Sequence, residues 1–180
     1  MQPAYHSKLN EAGYTEVCAC AVCPLKTEIR GPAPMGNNEE EDIIDEVLQY
    51  FRANVLFRNF MIEGGADRTL IYLTLHTVQL LVKLERIDDK NTAMRELRSL
   101  SRDKPFSAPG ENGFVLGGMY GTPGDKPEGD TWKSYMKQAR EELAIRLVEK
   151  IFNEKFEGGK KNKWWQAFSR RKFMGKELKD

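Results

Sequence analysis

The sequence has little of several features that would each assign it to a class of protein. It contains only three cysteines, and three thiols cannot build a fully paired disulfide framework. Its 28 Lys and Arg residues are nearly balanced by 27 Asp and Glu residues, for a formal net charge of +1. Proteins that bind nucleic acid or anionic membranes through most of their surface usually carry a large excess of one charge. We therefore expect neither partner, and any basic site must be local.

Long apolar runs are also missing. The first eight residues lack the positively charged segment and apolar run of a secretory signal, so we expect no export. The most apolar stretch, residues 70–84, is interrupted by polar residues and is shorter than the roughly 20 residues that cross a bilayer. We expect a cytoplasmic protein, in which reducing conditions keep the cysteines as thiols.

Helical patterns dominate what is present. Apolar residues recur at three- and four-residue spacing and predict helices from Asn37-Asn38 to about residue 58, over 67–84, 92–101 and 130–151, and in a short C-terminal piece that contains Trp164, Trp165, Phe168, Phe173 and Met174. Frequent Pro and Gly predict irregular structure elsewhere. The predicted fold is all-α, a single domain over 1–180. It comprises an irregular N-terminal arm at 1–38 with an extended piece at 17–25, helices at 39–102, a long Gly/Pro-rich loop at 103–129, and a long helix and a basic aromatic C-terminal helix at 130–180.

The cysteines are the first candidates for chemistry. Cys18, Cys20 and Cys23 lie close together, and with His6 they could supply four zinc ligands. However, structural zinc sites normally bring two ligand pairs from separate turns, and the neighbouring small apolar residues favour packing. The other histidine, His76, lies in the most apolar helix and is interpreted as a core residue with satisfied hydrogen bonds. We expect no metal site and no catalytic thiol.

Two further segments resemble functional motifs only superficially. The glycine-rich residues 117–126 lack the Lys-Ser/Thr pair and the preceding strand of a Walker loop, since Lys126 is followed by Pro127. The acidic run at 39–46 is interpreted as the solvated start of a helix. Since no titratable pair with an orienting partner is found, we expect neither an enzyme nor a bound cofactor.

The C-terminal stretch is the most suggestive feature. Basic residues surround an aromatic group there, namely Lys155, Lys160, Lys161, Lys163, Arg170, Arg171, Lys172, Lys176 and Lys179 around Trp164, Trp165, Phe168 and Phe173. Three interpretations remain open from the residues alone. The aromatic residues can form part of the core beneath a solvated basic face, the stretch can anchor a protein interface, or it can bind single-stranded nucleic acid.

Several strings taken in order resemble one known family. They are Ala-Tyr-His-Ser at 4–7, Gly-Pro-Ala-Pro at 31–34, Asp-Ile-Ile-Asp-Glu at 42–46, Tyr-Phe-Arg-Ala-Asn-Val-Leu-Phe at 50–57, Ala-Asp-Arg-Thr-Leu-Ile-Tyr at 66–72, Pro-Gly at 109–110 and Gly-Phe at 113–114, Arg-Glu-Glu at 140–142 and Arg-Leu at 146–147, Lys-Trp-Trp at 163–165, and Arg-Arg-Lys-Phe-Met at 170–174. Together they resemble subunit 3 of the actin-related protein 2/3 complex, over nearly the whole chain. The segments 18–23, 64–65 and 117–129 depart from the family pattern.

The resemblance implies an all-α, non-enzymatic subunit of a hetero-oligomer that nucleates actin filaments as branches on existing filaments. It also implies that the main partner is one of the two actin-related subunits, that ATP belongs to those subunits, and that the protein lies in the cytoplasm at the actin cytoskeleton. Because actin-fold proteins are generally acidic, a basic patch would assist docking. We expect a partner surface at 160–176, with Arg170 and Arg171 exposed rather than Trp164 and Trp165. The partner-binding residues predicted are Lys160, Lys161, Lys163, Arg170, Arg171, Lys172 and Phe173.

The N-terminal arm carries apolar and aromatic residues that a disordered tail would lack. An ordered but irregular segment must take its order from something that it packs against. We therefore expect the arm either to lie across the helices of its own chain or to reach a neighbouring subunit.

Overall fold

Helices are the main regular structure of the protein, in agreement with the all-α prediction, and one small sheet is added. The computed structural model describes residues 3–153 and 157–180. In those ranges the α-helices are α1 (Ile43–Asn54), α2 (Gly65–Leu84), α3 (Lys90–Arg102), α4 (Lys126–Ile151) and the single turn α5 (Lys163–Gln166). Short 3-10 helices cover Lys8–Glu11 and Glu157–Gly159, and the strands β1 (Glu16–Val17) and β2 (Cys20–Ala21) pair antiparallel.

Helix α2 lies at the centre, because it is apolar around most of its circumference and packs against α1, α3, α4, α5 and β2. Three of its threonine side chains are buried and hydrogen-bonded. The Thr74 and Thr77 hydroxyls donate to carbonyls one turn earlier in the helix. Thr69 donates to the Ala21 carbonyl at 2.7 Å, which joins α2 to the hairpin. Each of these three buried hydroxyls therefore has a hydrogen-bond partner.

The start of α1 differs from the prediction. Asp42, rather than Asn37 or Asn38, caps the helix, because the Asp42 carboxylate accepts from the Asp45 amide and the Asp45 carboxylate accepts from the Asp42 amide. This reciprocal pair satisfies two amide donors that the first turn leaves free. Asp42 is also buried, as is Glu46, so these two residues of the acidic run are not part of a solvated face. The helix ends at Asn54, short of residue 58.

Helices α3 and α4 each begin earlier than the periodicity predicts. The Asp89 carboxylate accepts from the Thr92 amide, which starts α3 at Lys90. The Asp125 carboxylate accepts from the Glu128 amide, and Pro127 in the first turn has no amide hydrogen that needs a partner. The predicted loop therefore ends at Asp125 and not at residue 129. These first turns are exposed and polar, so an apolar pattern gives no sign of them.

The N-terminal arm follows the helices of its own chain and contains the hairpin. Cys18 and Ala19 turn the chain between β1 and β2 with positive φ angles of 52° and 61°, the conformations of a tight hairpin turn. Further along the arm, Leu25 bridges Met35 in parallel, and the Gln138 amide of α4 donates to the Ile29 carbonyl at 2.8 Å and accepts from the Ala33 amide. The arm is thus ordered within the chain.

An aromatic cluster fixes the segment between α3 and α4. Trp132 of α4 is fully buried, and the rings of Tyr72, Phe106, Phe114 and Tyr120 surround it at centroid distances from 5.1 to 6.5 Å. The Tyr120 hydroxyl hydrogen-bonds to the Arg68 carbonyl. The irregular segment is held by rings that enter the core rather than by regular backbone bonding.

The chain after α5 departs from the predicted helix. Beyond Gln166 the backbone continues in turns, Phe173 forms an isolated bridge with Lys176, and Met174 and Gly175 both have positive φ. A helix cannot continue through left-handed residues. Finally, in the ranges that the structure describes, no helix is both long and apolar enough to cross a membrane.

Candidate partner-binding surface

The C-terminal segment is held against the end of α2 by side chains that reach backbone carbonyls. The Lys161 ammonium donates to the carbonyls of Leu84 and Ile87, each at 2.9 Å. The Gln166 amide donates to the Leu81 carbonyl at 3.0 Å. A cation at this position binds carbonyls in and just beyond the last turn of α2 and compensates the negative end of the helix dipole. Lys161, one of the predicted partner-binding residues, is therefore engaged within its own chain.

Two aromatic residues of the same segment are buried. Trp165 stacks on Phe51 of α1 with ring centroids 5.6 Å apart, and the Phe173 ring meets the edge of Phe60 at 6.1 Å. Both are at most 2% exposed. Phe173, which the sequence assigned to the partner surface, thus belongs to the apolar core, and the core interpretation of the aromatic residues holds for this pair.

Most of the remaining predicted residues are exposed and form what we call the C-terminal basic surface, namely Lys160, Lys163, Arg170, Arg171 and Lys172, together with Trp164. The Arg170 side chain is 90% exposed, with its Nε 3.7 Å from Glu85 Oε1. A hydrogen bond from Ser169, assisted by Arg170, holds the pKa of the Glu85 carboxyl below its ordinary value. Lys155, the first residue of the predicted basic stretch, lies outside the described residues.

Trp164 is more exposed than the sequence predicts, although Arg170 is more exposed still. The Trp164 side chain is 66% exposed, whereas its neighbour Trp165 is buried. Consecutive residues on a helix point about 100° apart, so only one of two adjacent tryptophans faces the core. Applied to the Trp-Trp pair, this rule predicts that one of the two tryptophans is exposed among the lysines and arginines.

The three cysteines lie in the core. All three are buried free thiols, and Cys20 Sγ lies 3.1 Å from the Thr69 hydroxyl. Burial raises the pKa of Cys18 to about 11 and that of Cys20 to about 12, and it also raises the pKa of Cys23. A thiol must ionise to act as a nucleophile or a metal ligand. All three belong to the cluster of buried apolar side chains, in agreement with the packing interpretation.

The two histidines have separate environments. His76 is fully buried between Gln79 and Ser101, with 2.8 Å from each ring nitrogen to its partner, and burial lowers its pKa well below the ordinary value. The interpretation of a satisfied core histidine is confirmed. In the described part of the chain, His6 shares a cluster of ligand atoms with Glu63 and Asp67 and not with the cysteines.

Comparison with known proteins agrees with the resemblance over the whole chain. The family model described as "P21-Arc: ARP2/3 complex ARPC3 (21 kDa) subunit" matches residues 2–178. Actin-related protein 2/3 complex subunit 3 of Dictyostelium discoideum is 43% identical over 176 residues, which cover 97% of this chain and 99% of that protein. The subunits of that name from Schizosaccharomyces pombe and Arabidopsis thaliana are 41% and 39% identical. They cover 98% and 94% of this chain and 99% and 96% of their own lengths. The chain therefore belongs to the family of 21 kDa subunits, subunit 3, of the actin-related protein 2/3 complex.

Proposed function

We propose that this protein is a non-catalytic subunit of the actin-related protein 2/3 complex and supports actin filament nucleation and branched-network assembly by binding an actin-related subunit. The observation that carries the proposal is the sequence identity of 39–43% to three subunits of that name along almost the entire chain. Its partners are the other subunits of the hetero-oligomer and, through the complex, the actin filament. Its place is the cytoplasmic actin cytoskeleton, and it acts there as one structural unit.

The C-terminal basic surface is the part of the molecule that we assign to a partner. Its cations lie on a segment that is fixed to α2 by Lys161 and Gln166, so little conformational freedom is lost when a partner binds. Trp164 offers a large exposed ring among those cations, and Trp and Arg are the residues that most often dominate binding energy in interfaces. Lys160, Lys163, Arg170, Arg171 and Lys172 provide the positive charge that an acidic actin-like protein complements.

Charge reversal tests this assignment. The double substitution Arg170→Glu and Arg171→Glu, made in the full chain, is expected to reduce recovery of the complex about tenfold or more when the tagged chain is isolated at moderate salt. The physical reason is that two attractive charge pairs become repulsive. Branch formation by the recovered material, measured by fluorescence microscopy of actin filaments, should decrease in parallel.

The matched control changes the net charge by the same amount elsewhere. Arg95 and Lys104 are also exposed, and they lie on α3 and just beyond it. The double substitution Arg95→Glu and Lys104→Glu should leave recovery of the complex unchanged. Equal recovery for both double variants would contradict the assignment of this surface, whereas absence of actin-related subunits from the wild-type sample would contradict the proposed function itself.

A further inference from the structure

One cluster of ligand-type side chains lies far from the C-terminal basic surface in the sequence and has no role in the proposed function. It joins His6 of the N-terminal arm to Glu63 and Asp67, which flank the start of α2. The His6 Nδ1 lies 2.7 Å from Asp67 Oδ2, and the His6 Nε2 lies 3.5 Å from Glu63 Oε1. The imidazole therefore stands between two carboxylates, one on each ring nitrogen.

Asp67 fixes the positions of both other members. Its carboxylate is fully buried and accepts hydrogen bonds from the Ser7 amide at 2.8 Å, from the Glu63 amide at 2.9 Å and from the His6 ring. The Phe60 ring packs on the imidazole, with centroids 4.7 Å apart. A ring held by a short hydrogen bond on one side and an aromatic contact on its face has a defined orientation before any ligand binds.

The hydrogen bond to Asp67 also decides which ring nitrogen is free. A carboxylate accepts, so Nδ1 carries the hydrogen, and in a neutral imidazole Nε2 is then an electron-pair donor. That electron pair faces the Glu63 carboxylate, and the two atoms form no hydrogen bond within the described structure. Two electron-rich groups directed at each other repel unless a proton or a metal cation lies between them.

The separation of those two atoms fits a metal ion. Bond lengths of about 2.1 Å from zinc to a histidine nitrogen and to a carboxylate oxygen place two tetrahedral ligands about 3.4 Å apart. The observed distance is 3.5 Å. Imidazole and carboxylate together suit Zn²⁺ and its neighbours in the first transition series. The side chains of His6 and Glu63 are 22% and 61% exposed, so a hydrated ion can enter from solvent.

From this geometry we infer that His6 Nε2 and the Glu63 carboxylate bind a divalent transition-metal ion, with Zn²⁺ as the fitting representative, while Asp67 orients the imidazole from behind. Water completes the coordination. In many zinc sites a carboxylate accepts a hydrogen bond from the second ring nitrogen of the histidine ligand and so fixes the orientation of the ring. Because His6 belongs to the arm and Glu63 precedes α2, the ion joins two segments that are 57 positions apart in the chain.

Two substitutions isolate the metal ligands from the structural contacts. His6→Asn keeps an N–H donor near the position of Nδ1, where it can still bind Asp67, but removes Nε2. Glu63→Gln keeps the shape of the side chain and removes its charge, and it leaves untouched the backbone amide that donates to Asp67. The fold is checked for both variants by thermal unfolding in the presence of chelator, where each should resemble the wild type.

Zinc binding is measured by competition of the full-length chain with a chromophoric zinc chelator. The expected result is one Zn²⁺ per wild-type chain and an affinity at least tenfold lower in both variants. No binding by the wild-type chain would overturn the inference, because the histidine would then bridge the two carboxylates with protons alone. Equal binding by the wild type and both variants would also overturn it, since the ion would then lie on other residues such as the cysteines.

Nitrogen NMR of the histidine rings provides a second readout that does not depend on affinity. The chain contains two histidines, and fully buried His76 serves as the internal reference. Addition of Zn²⁺ should move the Nε2 resonance of His6 and leave both ring nitrogens of His76 unchanged. A shift confined to His6 Nδ1, or no shift at either nitrogen, would contradict the assignment of Nε2 as the ligand.

Discussion

At the scale of single residues, Glu46 is the most unusual titratable group. It lies on the buried face of α1, and its Oε2 has no hydrogen-bond partner within the described structure. Burial raises its pKa from an ordinary value near 4.5 to about 7, which the Ser7 hydroxyl and the Lys8 amide only partly oppose. The charges of Lys8 and Glu41 also affect the pKa of Glu46. Glu46 in turn raises the pKa values of Tyr50 and Cys23.

This raised pKa predicts that the protein loses stability as the pH rises through neutrality. The folded state holds the proton of Glu46 more tightly than the unfolded state, so the stabilisation is complete below about pH 4.5 and is lost as the pH passes about 7. Between about pH 5.5 and pH 8, the wild type should lose about 1–2 kcal/mol more unfolding free energy than Glu46→Gln, which does not titrate. Urea unfolding of both proteins at each pH measures the difference, and parallel pH profiles would contradict the prediction.

Arg146 connects three parts of the chain through a single guanidinium group. Its two terminal nitrogens donate to the two oxygens of Asp42, each at 2.7 Å, and Nη2 also donates to the Lys26 carbonyl of the arm. Its Nε donates to Glu142 at 2.9 Å, and Nη1 reaches Asp45 at 3.0 Å. Burial lowers the pKa of Arg146, but the bonds to Asp42 and Glu142 outweigh it and raise that pKa above the ordinary value.

We expect substitution of Arg146 to be strongly destabilising. Arg146→Ala leaves the buried Asp42 carboxylate without its ion pair and should lower the unfolding free energy by about 3–5 kcal/mol. Arg146→Lys retains the charge but cannot form the paired bonds, and it should still cost about 2 kcal/mol. Denaturant unfolding gives both values, and the exposed Arg95→Lys serves as the control with an expected change within about 0.5 kcal/mol. An Arg146→Lys protein as stable as the wild type would show that charge alone is sufficient.

At the scale of elements, the arm packs on its own chain, which is one of the two arrangements that the sequence allows. Tyr5 and Asn54 form two hydrogen bonds, from the Tyr5 amide to the Asn54 side chain at 2.8 Å and from that side chain to the Tyr5 carbonyl at 2.9 Å. The Tyr5 ring stacks on Tyr50 with centroids 5.2 Å apart. The last two turns of α1 therefore bind the start of the arm.

Asn54→Ala is expected to release the first part of the arm without unfolding the helices. Loss of both bonds leaves the Tyr5 amide and carbonyl without their side-chain partner, which costs about 1–3 kcal/mol locally. Hydrogen exchange measured by mass spectrometry should become faster across residues 3–12 and remain unchanged in α2. Gln49→Ala, an exposed position of the same helix, is the control. Unchanged exchange in residues 3–12 of the Asn54→Ala protein would show that other contacts hold the arm.

The ends of the elements show where prediction from sequence is limited. The apolar spacing of α2 and α4 identifies both helices, because buried positions repeat along one side or around the whole helix. Asp89 and Asp125 determine where α3 and α4 begin, and both are single polar contacts outside the apolar pattern. The expected helix after residue 163 fails for a different reason. Trp165 packs on α1 from the single turn α5, whereas Phe173 reaches Phe60, between α1 and α2, from the turns that follow, so no single helical face buries both.

At the scale of the whole molecule, one cluster of buried apolar side chains includes residues of the arm, of every α-helix and of the segment between α3 and α4. The sequence predicts a single domain over 1–180, and calorimetry can test that prediction. We expect one unfolding transition whose calorimetric and van't Hoff enthalpies agree, because each element completes the burial of the others. Two separate transitions, or a van't Hoff enthalpy well below the calorimetric one, would contradict it.

Only part of the candidate surface could be predicted from the sequence. The concentration of cations at the C-terminus is visible in the residues themselves, but their different environments are not. Lys161 is identical in type to Lys160 and Lys163, yet it alone of these three binds the carbonyls at the end of α2. Phe173 and Trp164 are both aromatic, yet one is buried and the other exposed. Exposure depends on the neighbours that the fold supplies, and a charge pattern contains no information about them.

By itself, the sequence determined the helical class, the central position of α2 and the family, and it favoured a packing role for the cysteines. Each of these depends on local composition, on periodicity, or on strings of residues that can be compared directly. Only the tertiary structure decided which polar groups meet. The contact of His6 with Glu63 and Asp67 and that of Arg146 with Asp42 join segments that are distant along the chain. Such contacts depend on the path of the backbone in three dimensions, because a side chain binds whatever group the fold brings within a few ångströms.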